Sequence, residues 1–235
     1  MNPPRVIDVL HVAKTAGSAP KRVAQTINRQ QSGVRFMLYG HRKTLDGLSH
    51  ESEYVFATRD PVTRFRSAFL SRQRKGRPLY DLPWNELEGR IFSAFDGPDE
   101  LARALFSEGQ LSDLAHEGMR QVPDFKFQAR YTDGIPNFLE TRPPLSILRQ
   151  ERFNDDLNQL LLHLGICAVG VDQIVPQRIH ANTYQPRHTL SARSESNLRR
   201  WYASDYEYIE RCNDWINSNP WATIPVQRGP IADGL

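Results

Sequence analysis

Residues 6 to 20 read VIDVLHVAKTAGSAP, and they are the most informative part of the sequence about the fold. Its first five residues are an apolar run that is typical of a short buried strand. Gly17 allows a tight turn, and Ser18, with a proline two residues later, is typical of the start of a helix. A strand that passes through a short loop into a helix presents free backbone N–H groups to an anion. The stretch therefore predicts a phosphate-binding loop in which Lys14 approaches from the strand side. The loop lacks the Gly-Lys-Ser/Thr ending of nucleoside triphosphatases.

A second strand-to-helix unit follows at residues 54 to 69. Tyr54 to Thr58 is another apolar run, Asp60 is a good N-cap, and the proline after it suits the first helical position. Arg59 then lies at the carboxyl end of its strand. Ligands of open α/β sheets bind outside the carboxyl ends of the strands, so Arg59 and the Lys14 loop are predicted to face one crevice and to bracket a ligand with two anionic ends. Taken alone, the Lys14 loop is explained equally well as an ordinary strand-to-helix turn.

At these two units the chain resembles the sulfotransferases that use 3′-phosphoadenosine 5′-phosphosulfate (PAPS). The resemblance is to the carbohydrate branch, which includes the uronyl 2-O-sulfotransferases, and to a soluble member of bacterial type. The family's 5′-phosphosulfate loop has the form His-x-Pro-Lys-Thr-Gly-Gly-Thr-Ser, and residues 11 to 19 match it directly at Lys14, Thr15 and Gly17. The departures from that loop are Ala13, Ala16, Ser18 and Ala19. The family's 3′-phosphate motif, Arg-Asp-Pro-x-x-Arg-x-x-Ser-Ala-Tyr/Phe, is matched at Arg59, Asp60, Pro61, Arg64, Ser67, Ala68 and Phe69.

The resemblance implies a three-layer α/β fold of the P-loop-like sulfotransferase type, with a parallel sheet flanked by helices. It implies that the donor is PAPS, that the product is adenosine 3′,5′-bisphosphate (PAP), and that no metal is needed. The implied acceptor is a hydroxyl, on a sugar or glycoconjugate, with an acidic carbohydrate among the candidates. The donor-binding residues that correspond to the family's are Lys14, Thr15, Ala16, Gly17, Ser18, Ala19, Arg59 and Ser67, with Arg187 in the polar loop before the terminal helix as a further candidate.

His41 is the candidate general base. Residues 34 to 39 form a predicted strand, and Gly40-His41 follows its end, so the imidazole is expected to face the same crevice. An imidazole that titrates near neutral pH can accept the proton of a hydroxyl acceptor. A Gly-His pair after the second strand also resembles the uronyl 2-O-sulfotransferases, in which that histidine is the base. A structural role for His41 is the alternative, while Lys14 is the candidate for neutralising charge on the leaving phosphate.

The alternating strands and helices predict one α/β domain over residues 1–235, with a mainly helical insertion or lid at about 76–140 and an irregular tail from 220. A terminal helix is predicted over about 195 to 217, where large apolar residues recur at near-helical spacing. The two cysteines give no disulfide framework and no metal-ligand cluster. No long apolar run suggests a membrane span, and the Lys14 loop lies too near Met1 for a leader, so a cytoplasmic location is expected.

Residues 59 to 77 carry seven basic side chains and a single acidic one, although the formal net charge of the chain is only +3. A solvated helix face is the first interpretation, a surface for an acidic acceptor the second, and nucleic-acid binding the third. Two other functions remain open: a non-catalytic protein that binds a nucleotide or polyanion, suggested by Ala16 and Ala19, and a phosphotransferase on the same fold. The sequence leaves the oligomeric state undetermined.

Overall fold

The computed structural model describes residues 3–15, 19–29, 33–78, 80–166 and 188–219. Within these ranges the sheet consists of four strands, β1 (Arg5–Leu10), β2 (Val34–Leu38), β3 (Glu53–Thr58) and β4 (Ser146–Arg149). All neighbouring pairs are parallel, and the spatial order is β2-β1-β3-β4. The first three strands occupy the predicted apolar runs. The predicted α/β class with a parallel sheet is confirmed.

The helices of the described ranges lie between and after these strands. Their bounds are α1 (Ala19–Arg29), α2 (Pro61–Gln73), α3 (Glu86–Ala94), α4 (Pro98–Ala104), α5 (Gln110–Gln121), α6 (Phe138–Thr141), α7 (Phe153–His163), α8 (Ala192–Trp201) and α9 (Ala203–Ser218). Short 3-10 turns occur at Leu45–Gly47, Pro123–Phe125, Ala129–Tyr131 and Gln150–Arg152. In the described part of the chain, no helix combines the length and the apolar character that a membrane crossing needs.

Helices cover both faces of the sheet, as parallel strands require. On one face, Ile7 and Val9 of β1 belong to a buried cluster that includes Val23 of α1 and Leu157 of α7. The alternate strand residues face the other way, and Phe56 of β3 belongs to a cluster there with residues of α9, among them Tyr208, Cys212 and Ile216. The strand alternation therefore builds two apolar layers on a single sheet.

The segment predicted as a helical insertion is helical, and it has an apolar cluster of its own. Residues of α3, α4 and α5 are buried there with Phe65 and Phe69 of α2 and with Leu198 of α8. The ring of Phe69 lies 5.2 Å from that of Phe92 and 6.2 Å from that of Phe125, measured between centroids. Helix α2 thus connects the sheet to the insertion.

The predicted terminal helix is divided into α8 and α9 at Tyr202. The backbone of Tyr202 leaves helical geometry, with φ −94° and ψ 24°. Its side chain is fully buried, and its hydroxyl donates to the carbonyl of Phe125. Residues 220 to 235, predicted as an irregular tail, lie outside the described residues.

Candidate donor-binding site

The loops after β1 and β3 lie at the carboxyl edge of the sheet, where the order of the strands reverses. From β1 the chain passes to β2 on one side, and it then returns to place β3 on the other side. Ligands of open parallel sheets bind in the crevice at such a reversal. Lys14 follows β1 and Arg59 follows β3, so the two predicted motifs lie at one crevice.

The Lys14 loop holds an uncommon backbone conformation. Lys14 has φ +65°, in the left-handed region that residues with a side chain rarely adopt. Its neighbours are fixed around it: the buried hydroxyl of Thr15 donates to the carbonyl of Val12 at 3.0 Å, and the N–H of Ala13 donates to the hydroxyl of Tyr131 at 3.3 Å. One of these bonds is local and the other comes from a distant part of the chain, and a strained backbone held in place by its surroundings is typical of ligand-binding sites.

Arg59 joins the two motifs directly. Its Nη1 donates to the carbonyl of Lys14 at 3.1 Å, and its Nε donates to Oγ1 of Thr63 at 3.1 Å. Arg59 therefore lies against the Lys14 loop in this structure. Asp60 begins α2 as predicted, because its carboxylate accepts from the N–H of Thr63 at 2.8 Å.

The ammonium of Lys14 contacts two side chains that the sequence analysis did not identify. Its Nζ donates to Oγ of Ser71 at 2.7 Å and lies 3.6 Å from Oδ2 of Asp124. Thr63, Ser67 and Ser71 recur every four residues on α2, and this spacing could have indicated a polar stripe on one helix face. Asp124 had no such signal, because it lies on a 3-10 turn far away in the sequence.

His41 lies just beyond β2 and packs against His11, with 3.9 Å between ring centroids. Nδ1 of His41 is 3.2 Å from the carbonyl oxygen of His11, and only a protonated Nδ1 can donate to it. In a neutral ring this leaves Nε2 as the basic nitrogen. Burial, followed by the charges of His41, Lys14 and Lys21, lowers the pKa of His11 to about 4, against the opposing effect of Asp124.

Not all of the predicted site residues fall within the described part of the chain. Ala16, Gly17, Ser18 and Arg187 lie outside the described residues, and of Ala19 only the backbone, at the start of α1, is described. Ser67 is half-buried in the middle of α2. The described part of the predicted site therefore consists of the residues around Lys14, the residues around Arg59, and His41.

Several side chains of the basic stretch from 59 to 77 have acidic or aromatic partners. Among those outside the 3′-phosphate motif, Arg72 departs from the solvated face that was the first interpretation. Arg64 is buried, with Nη2 3.8 Å from Oδ2 of the fully buried Asp205. Arg72 is also buried, and its Nε donates to Glu88 at 2.6 Å. Nζ of Lys75 lies over the ring of Trp84 at 4.7 Å. These cationic side chains already contact acidic or aromatic groups of the protein itself, which argues against a basic surface that binds a polyanion.

No protein-family model matches this chain, and no curated protein matches it. Among the described residues, no group of three or more His, Cys, Asp or Glu side chains is arranged to hold a metal ion.

Proposed function

We propose that this protein transfers a sulfuryl group from PAPS to a hydroxyl acceptor, on a sugar or glycoconjugate. The observation that carries the proposal is the contact between Nη1 of Arg59 and the carbonyl of Lys14 at 3.1 Å. This contact joins the Lys14 loop to the Arg59 motif, the two motifs that the sequence predicts to bind anions. They meet between β1 and β3, where the order of the strands reverses. A donor with a phosphosulfate at one end and a 3′-phosphate at the other needs two cationic groups held by different strands.

Lys14 is assigned to the leaving group. Transfer of a sulfuryl group breaks the S–O bond to the 5′-phosphate and leaves negative charge on the oxygen that bridged them. An ammonium within reach of that oxygen stabilises the charge as it develops. Ser71 and Asp124 hold Nζ of Lys14 at 2.7 and 3.6 Å. The ammonium therefore stays at the crevice instead of extending into solvent.

His41 is assigned to the acceptor. The acceptor oxygen forms its bond to sulfur while its proton passes to Nε2 of His41, the nitrogen left basic by the hydrogen bond from Nδ1 to the carbonyl of His11. The ring of His11 packs against His41 and keeps it near the carboxyl ends of β1 and β2. Arg59 is assigned to the 3′-phosphate, for which a guanidinium provides two parallel donors.

Lys14→Ala and His41→Asn test these roles together. We expect each variant to lose at least about 100-fold in PAPS-dependent sulfation of a glycan panel, since each removes charge stabilisation or the base. Asn at position 41 retains a donor for the His11 carbonyl. The measurement is transfer of radiolabelled sulfate from PAPS, with and without added Mg²⁺, in variants whose thermal unfolding is unchanged.

Lys75→Ala is the matched control. Lys75 also has a positive φ, +57°, so the same substitution meets the same backbone conformation away from the crevice. Full activity of Lys14→Ala would reject its role. A Mg²⁺-dependent transfer from ATP would instead support the phosphotransferase alternative.

A further inference from the structure

Gln128 holds the backbone of Arg59 with both ends of its side-chain amide. The N–H of Arg59 donates to Oε1 of Gln128 at 3.2 Å, and Nε2 of Gln128 donates to the carbonyl of Arg59 at 2.8 Å. These two bonds use both the backbone donor and the backbone acceptor of Arg59, the residue that follows the end of β3. Gln128 is 1% exposed, so water does not compete for these bonds.

Gln128 is itself fixed by a buried carboxylate. Oδ2 of Asp205, on α9, accepts from the N–H of Gln128 at 2.9 Å, and Oδ1 accepts from the next N–H, that of Ala129, at 3.1 Å. Asp205 is fully buried, and Arg64 of α2 balances its charge from 3.8 Å. Arg64 also donates to the carbonyls of Asp124 and Lys126. One network therefore connects the segment that carries Gln128 to α2 and α9.

We infer that Gln128 is a positioning residue for the phosphate-binding role of Arg59, and that Asp205 holds Gln128 in place for it. The inference rests on the proposed function, because Arg59 is there assigned to the 3′-phosphate. The guanidinium of Arg59 can meet a phosphate only if its Cα is held at the edge of the crevice. The two bonds from Gln128 fix the peptide groups on either side of that Cα.

The chain contains a matched control for this arrangement. Asn28, on α1, makes the same pair of bonds to the backbone of Phe36 in β2: its Nδ2 donates to the carbonyl at 2.9 Å, and its Oδ1 accepts from the N–H at 2.8 Å. Phe36 is a core residue and belongs to neither motif. Asn28 is exposed whereas Gln128 is buried, so loss of the Asn28 bonds removes the same pair of backbone hydrogen bonds at a smaller cost in stability, without affecting Arg59.

Gln128→Met and Asn28→Leu separate positioning from stability, since each keeps the volume of the side chain and removes both hydrogen bonds. The readout is the calorimetric affinity for PAP divided by that for AMP, which lacks the 3′-phosphate. We expect Gln128→Met to reduce this ratio by about tenfold, because the loss of two buried hydrogen bonds lets the backbone of Arg59 move and weakens its contact with the 3′-phosphate. Asn28→Leu is expected to keep the wild-type ratio while lowering the unfolding temperature.

A wild-type ratio in folded Gln128→Met would overturn the inference and leave the proposed function intact. A wild-type protein that does not prefer PAP to AMP would overturn the proposed function, and the inference with it. If Gln128→Met does not fold, Gln128→Asn replaces it, because that change keeps an uncharged amide but shortens the side chain by one methylene, so that it no longer reaches both backbone groups of Arg59. Its ratio is expected to fall as well, and an unchanged ratio would again overturn the inference.

Discussion

Lys14 makes contacts in the candidate site with both its backbone and its side chain. Its backbone is held at φ +65°, its carbonyl accepts from Arg59, and its ammonium is shared between Ser71 and Asp124. The carboxylate of Asp124 partly neutralises the ammonium from 3.6 Å.

His11 gives the folded protein a pH dependence at the residue scale. Its pKa falls from an ordinary value of 6.5 to about 4 on folding, chiefly because the ring is desolvated. The unfolded chain then binds the proton more readily, so stability is greatest above pH 6.5 and is lost as the pH falls from 6.5 towards 4. We expect His11 to account for about 2 kcal/mol of that loss, since part of the shift is screened by solvent.

Urea unfolding at pH 7.5 and pH 4.5 measures this contribution. His11→Asn should lose less stability between the two pH values than the wild type, whereas His50→Asn, which changes an exposed histidine, should behave as the wild type does. An identical pH dependence in His11→Asn and the wild type would contradict the assignment.

Helix α2 is the element that connects the site to the rest of the molecule. In its first turn, the hydroxyl of Thr63 accepts a hydrogen bond from Nε of Arg59. In its last turn, the hydroxyl of Ser71 accepts one from Nζ of Lys14. Phe65 and Phe69 on the same helix are fully buried in the core of the insertion. The position of Ser71 at the crevice therefore depends on how the C-terminal end of α2 is anchored.

The buried pair between Arg72 and Glu88 provides that anchor. Nε of Arg72 donates to one carboxylate oxygen of Glu88 at 2.6 Å, and Nη2 donates to the other at 2.7 Å. Glu88→Gln leaves the buried guanidinium without its counter-charge, so we expect a loss of about 3 kcal/mol in the free energy of unfolding. Urea titration at pH 7.5 measures that loss.

The exposed pair between Arg77 and Asp81 is the control, with an N–O distance of 2.6 Å and side chains 65% and 53% exposed. Solvent screens such a pair, so Asp81→Asn should leave the urea midpoint nearly unchanged. Equal losses in Glu88→Gln and Asp81→Asn would show that the buried pair does not anchor α2.

For the molecule as a whole, most of the parallel sheet and the helix after β3 could be predicted from the sequence. The strands β1, β2 and β3 were predictable because each is an apolar run, and α2 was predictable because Asp60 and Pro61 mark its start. The contacts that complete the site were not predictable. Ser71, Asp124 and Gln128 meet the motifs only through tertiary packing, and no local pattern marks which distant polar side chain will face a loop.

The same reason explains two departures from expectation. The spacing of apolar residues continues through Tyr202, but its buried hydroxyl bonds to Phe125 and the helix divides there. The basic residues outside the 3′-phosphate motif were expected to form a solvated face, and Arg74 and Arg77 are exposed, yet Arg72 is buried against Glu88 from another helix. Local charge density does not reveal which cations the fold itself neutralises.

Calorimetric binding of PAP, compared with that of AMP, ADP and ATP, tests whether the crevice holds the 3′-phosphate of the donor. The wild type and Arg77→Ala, which removes an exposed arginine from the same basic stretch, should bind PAP at least about tenfold more tightly than AMP, because a bidentate guanidinium–phosphate contact is a strong one. Arg59→Ala should lose that preference. Binding of PAP that is no tighter than that of AMP would rule out the proposed donor site. A preference for PAP that survives in Arg59→Ala would rule out the role assigned to Arg59.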